Sequence, residues 1–133
     1  MKHAFVAALG LTILAVPLSE AKTSERQKKM LDQQMLKLDL GTRVEQRCDA
    51  GAGGVVSREH KGFKVEQVIA YAFSDPEIRG TEVIAPGAIV RSRGKWYRLS
   101  FRCRTTADGT GIELFEHSLG AEVPGWTIDR IAR

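Results

Sequence analysis

The chain has 133 residues, 20 Lys and Arg against 16 Asp and Glu for a net charge of +4, and two cysteines. That length allows one domain with one modest core, and the small charge excess permits attraction to anionic surfaces without requiring it. Two isolated cysteines are too few for a disulfide-dense scaffold, and without CxxC spacing they make a poor metal pair.

The first segment sets the expected compartment. Met1-Lys2-His3 is a short basic start, residues 4–16 are an almost unbroken apolar run, and Pro17 breaks it. Ser19-Glu20-Ala21 places small residues three and one positions before a cut. This is the layout of a secretory signal peptide over residues 1–21, cleaved after Ala21. The apolar run falls short of the ~20 residues a membrane-spanning helix needs, and no later stretch is as apolar. An exported chain without a membrane span is therefore expected, periplasmic or secreted. In such a compartment Cys48 and Cys103 are expected to form one disulfide, worth about 4 kcal/mol on the chain-entropy model.

Residues 22–40 read as an amphipathic helix. Ser24 and Gln27 suit a capping box, and Leu31, Met35 and Leu38 recur at helical spacing. Gly41 ends it, and residues 41–133 are expected to form a single domain. Thr42 and Glu45 make a second capping box, after which Val44, Cys48, Ala52 and Val55 share one helical face. Three glycines in residues 50–54 cost about 1 kcal/mol each in a helix, so this helix either ends early or packs very closely on a sheet. A phosphate-binding loop is disfavoured there, because no strand precedes it and no GK[ST] lysine follows.

After a polar connection over residues 57–64 the period changes to two. VEQVIAYAF, residues 65–73, reads as one strand, and Ser74-Asp75-Pro76 turns the chain. Gly80 and Pro86-Gly87 mark a second loop around TEVIA. A turn centred on Arg93-Gly94 pairs Ser92 with Lys95, Arg91 with Trp96, Val90 with Tyr97 and Ala88 with Leu99. Tyr97, Leu99, Phe101 and Cys103 then face inward, while Trp96, Arg98, Arg102 and Arg104 face outward. A second turn at Asp108-Gly109 sets Thr105 opposite Ile112, Cys103 opposite Leu114, Arg104 opposite Glu113 and Arg102 opposite Phe115. That register leaves Phe101 against Glu116, an awkward pair that a bulge near residues 115–117 would repair. Trp126, Ile128 and Ile131 give the C-terminus enough apolar surface to dock as a closing segment. The expected fold class is α+β: N-terminal helices packed on an antiparallel sheet of about four strands.

The outward face carries the candidate partner-binding residues Arg91, Trp96, Arg98 and Arg102. Arg91 is expected to stack on Trp96, and Arg102 to lie by Phe115, leaving Arg98 without an obvious neighbour. The plain alternative is a solvated, self-neutralised sheet face.

The blocks TRVEQRCD, VIAYAFSDP and APGAIVRSRGKWYRLSFRCRTT together resemble an exported alphaproteobacterial family catalogued only as a domain of unknown function. The likeness runs from about Leu38 to Trp126. It implies export and the pairing of Cys48 with Cys103, and it brings no activity. Residues 50–54 depart from the pattern, where larger helix formers are expected.

No catalytic residues are identified. His60 lies in the polar connection and His117 near the outer face, and GxSxG, HExxH and metal-ligand clusters are all lacking, so neither a metal nor a cofactor is expected. The basic-aromatic strand faintly resembles those of RNA-binding sheets, but its βαββαβ context is missing, and no nucleic-acid partner is expected. The reading is a small exported, non-enzymatic binding protein whose partner is an unknown protein or an anionic envelope component. A secreted effector or virulence factor acting on a host cell is the alternative, and an uncharacterised enzyme the second.

Overall fold

The computed structural model describes residue 10 and residues 19–131. Most of the segment read as a signal peptide, residues 1–21, lies outside them. The order is α1 (Ser19–Met35), α2 (Leu40–Glu59), β1 (Val65–Ile69), β2 (Glu77–Arg79), β3 (Glu82–Ser92), β4 (Lys95–Thr105), β5 (Ile112–Val123) and α3 (Gly125–Ile131). The strands form one antiparallel sheet in the order β1-β3-β4-β5, with β2 also paired to β3, and α2 lies across one face. The fold is α+β, as expected. Among the described residues no helix is long and apolar enough to cross a membrane.

The first helix ends at Met35 rather than reaching residue 40, because Asp39 begins the next one. Asp39 caps α2: its Oδ2 accepts from the Thr42 amide at 3.0 Å and its Oδ1 accepts from the Thr42 hydroxyl at 2.6 Å. Thr42 therefore serves as the third helical residue instead of the cap. Leu31 is left 61% exposed, so the apolar stripe of α1 does not join the core.

α2 continues through its glycines to Glu59, and their cost is offset by close approach to the sheet. A Cβ at Gly51 would overlap the Cδ1 of Ile112, and one at Gly53 would lie 3.3 Å from the Cγ1 of Val65. Val44, Cys48, Ala52 and Val56 fill the buried face of α2, with Val56 where the sequence suggested Val55. Cys48 is bonded to Cys103 of β4, closing a separation of 55 residues. Val83, Ala85, Ala88, Val90, Leu99 and Phe101 complete the core beneath the helix.

The Arg93-Gly94 hairpin has the expected register throughout, with Arg91 opposite Trp96 and Ala88 opposite Leu99. Both turn residues have positive φ, 50° and 78°, which matches the right-handed twist of the flanking strands. β1, the first half of β3, and β5 differ from expectation. β1 stops at Ile69 instead of running to Phe73, and a bulge between Val65 and Gln67 lets both Val65 and Val68 pack on the core. All of TEVIA but its Thr81 belongs to the start of an 11-residue strand and not to a loop; the strand absorbs Pro86-Gly87 as a bulge between Ala85 and Ala88. β5 is bulged near Glu113, earlier than expected, so Cys103 faces Phe115, Arg102 faces Glu116 and Phe101 faces His117. The awkward pairing of Phe101 with Glu116 disappears.

The connection preceding β5 explains that shift. Asp108 accepts from the hydroxyls of Thr106 and Thr110 at 2.7 Å each and from the Thr110 amide at 3.1 Å, while the Thr106 amide donates to the Gly111 carbonyl at 2.9 Å. A loop pinned over residues 106–111 replaces the tight two-residue turn. These bonds hold the Asp108 carboxyl down to about 2.

Candidate functional site

The outer face begins with the alternation of β4, which aims Trp96, Arg98, Ser100, Arg102 and Arg104 away from the core. Most of its cations are answered within the sheet. The Nε of Arg91 lies 2.9 Å from a Glu66 carboxylate oxygen, so Arg91 forms an ion pair there and does not stack on Trp96, which it still faces across the strands. Arg102 lies 2.8 Å from Glu82 and 3.9 Å from Glu116, replacing the expected contact with Phe115. Its hydrogen bond holds the Glu82 carboxyl below the usual carboxylate range. Arg104 meets Glu113 at 3.5 Å, as expected.

Arg98 is different. Its guanidinium sits 4.2 Å from the ring centre of Phe73, and it has no carboxylate partner among the described residues. Phe73 arrives there because the chain leaves β1 early. The Phe73 amide donates to the Gly87 carbonyl at 2.8 Å, and a Cβ on Gly87 would collide with Ser74. The bulge that looks like a loop in the sequence is thus what anchors Phe73 beneath Arg98.

Ser100 and Ser118 are opposite each other on β4 and β5, and their small side chains leave a depression between the arginines. A cavity of about 240 Å³ lined by Phe73, Pro86, Arg98, Ser100, Ser118 and Gly120 adjoins one of about 290 Å³ that ends at Arg102 and Glu116. Gly120 helps make the first: a Cβ there would come within 3.0 Å of the Cβ of Arg98. The face is not uniformly wet either, since Ile89, flanked in register by Ile69 and Arg98, is 0% exposed. Of the four candidate residues, the structure places Arg98 in a groove, Arg102 at its far end, and Arg91 and Trp96 as a cross-strand pair nearer the hairpin turn. Sequence reasoning missed Phe73, Ser100, Ser118 and Gly120. Alternation alone does place Ser100 between Arg98 and Arg102.

The inner side carries a second cluster. His117 belongs to the core-facing side of β5, contrary to expectation, because the bulge near Glu113 reverses its parity. Its Nε2 lies 2.7 Å from the Nε2 of His60, and Glu59 is 3.6 Å away. No group of three or more His, Cys, Asp or Glu able to hold a metal occurs among the described residues.

A third feature is Asp49 on α2, beside a cleft between α2 and β1 lined by Gly53, Gly54, Glu66 and Gln67. Its Oδ1 is buried without a hydrogen-bond partner among the described residues. Burial, reinforced by Glu45 one turn earlier, pushes its carboxyl up to about 6.

The chain matches the family model Domain of Unknown Function (DUF930) over residues 35–131, well over half of its length, and belongs to that family. No curated protein and no solved structure matches it.

Proposed function

We propose that this member of the DUF930 family is an exported, non-enzymatic binding protein. Its outer sheet face takes a protein partner through a single carboxylate carried beside an apolar group. The observation that carries the reading is Arg98: a guanidinium held on an aromatic ring, lacking an internal carboxylate, at the rim of a groove. A guanidinium held over an aromatic ring and lacking a carboxylate of its own is suited to bind one in bidentate fashion.

The neighbouring charges argue for one carboxylate over a polyanion. Arg91 is matched by Glu66, Arg102 by Glu82 and Arg104 by Glu113, so among the described residues the outward arginines of β3 and β4 leave only Arg98 without a carboxylate. Phe73 and Pro86 supply the apolar surface beside it. A protein's C-terminus or an acidic side chain next to an apolar residue presents that combination. Export rests on the basic start, the apolar run and the small residues before Lys22.

Hexanoate is a suitable minimal probe, with hexanol and inorganic phosphate as controls. Hexanoate is expected to shift the amide NMR signals of Ser100, Ser118 and Gly120 and the side-chain signal of Arg98, with hexanol and phosphate far weaker. Equal shifts from hexanol would remove the carboxylate from the proposal, and no shifts at that face would remove the site.

A further inference from the structure

We propose that His60 and His117 form a proton-sensitive latch, holding the end of α2 to β5 while at most one of the two rings is charged and releasing it when both are. The carrying observation is the Nε2–Nε2 contact of 2.7 Å between residues 57 apart in sequence. Such a bond needs one N–H and one lone pair. Two neutral rings provide them when one is protonated at Nε2 and the other at Nδ1. One extra proton makes the donor an imidazolium and the bond charge-assisted. Glu59 lies 3.6 Å from the Nε2 of His117, and His60 is the C-terminal cap of α2.

A second proton removes the remaining lone pair. Both Nε2 atoms then carry hydrogens and positive charge at 2.7 Å, and the His117 side chain is only 6% exposed, so solvent screens them poorly. One carboxylate cannot balance two cations, and the rings must part. Glu59, from α2, is the charged group in contact with the pair among the described residues. β5 and β4 face the rings with Phe115 and Phe101, and Tyr97 is reached through Phe63. Glu116 and Arg102, the adjacent charges on those strands, lie on the opposite face and pair there. Parting the rings therefore loosens an aromatic cluster of Phe63, Phe115 and Tyr97 while leaving the disulfide and the β3–β4 hairpin in place. Histidine is the ordinary side chain that changes charge between about pH 5 and 8, so the latch is tested across that interval.

The test is amide hydrogen exchange, corrected for intrinsic rates, at about pH 7.5 and about pH 5. An Asp49→Asn background removes a carboxyl that burial holds up to about 6. Residues 60–64 and 115–119 are expected to lose roughly tenfold or more of their protection at the lower pH, with the β3–β4 hairpin unchanged. His117→Gln, whose amide oxygen accepts from a charged His60, is expected to stay protected at both. Equal protection of the parent at the two pH values overturns the latch, and so does a His117→Gln variant that opens as the parent does. Should that variant fail to fold, the parent comparison still decides.

Discussion

The guanidinium of Arg98 lies 4.2 Å from the centre of the Phe73 ring, joining β4 to a segment that the sequence suggests as the end of β1. Phe73 is 38% exposed, so its value lies in orienting Arg98 more than in filling a core. Phe73→Ala is expected to lower stability by less than about 1.5 kcal/mol, the range for a cation–π contact with partial burial. It should weaken hexanoate binding at the outer face about as much as Arg98→Gln does. Chemical denaturation and NMR titration of the two variants check this.

Inward and outward residues of β4 predict opposite sensitivities. Leu99 is buried under α2, and Leu99→Asp should cost several kcal/mol by placing a charge without a partner in the core. Arg104 pairs with Glu113 in solvent, and Arg104→Ala should cost less than about 1 kcal/mol. Equal losses in urea unfolding would invert the assignment of faces.

Asp49 gives stability a specific pH dependence. Its folded value of about 6 lies above the unfolded one, so the folded state binds the proton more tightly. Its penalty is therefore absent below about pH 4, grows as pH rises toward 6 and is full above it. Asp49→Asn should be more stable than the parent at neutral pH and lose that advantage on acidification. An advantage that persists undiminished at about pH 4 would mean that packing, not ionisation, is responsible.

Reduction of the bond between Cys48 and Cys103 should lower stability by about 4 kcal/mol, because it frees a long loop in the unfolded chain. Mass analysis of protein from an exported fraction should find the two cysteines linked and the chain starting at Lys22. Free thiols with an intact Met1 would contradict export.

Legibility followed locality. The Arg93-Gly94 hairpin, its register and both faces of β4 could be read because alternation and a glycine turn lie within a short stretch. Bulges were the chief failure, since one extra residue reverses the parity of all that follows. The bulge near Glu113 moved His117 inward, and the one at Pro86-Gly87 disguised a strand as a loop. The Asp108 loop depends on three hydrogen bonds to one carboxylate, which composition does not reveal. The hairpin registers give Arg98 no obvious neighbour, and among the described residues it has no carboxylate partner. Its partner Phe73 was out of reach, because that contact depends on where β1 stops. The histidine pair joins residues 57 apart and leaves no local signal.

The central claim is that the charge of Arg98 selects a carboxylate, and reversing that charge tests it most directly. Calorimetric or NMR titration of parent and Arg98→Glu with hexanoate and with hexylamine separates charge recognition from apolar contact. The parent should prefer hexanoate by roughly tenfold or more, about 1.4 kcal/mol, and Arg98→Glu should prefer hexylamine. A folded Arg98→Glu variant that binds hexanoate as well as the parent would contradict the account, leaving the outer face as the solvated side of a sheet.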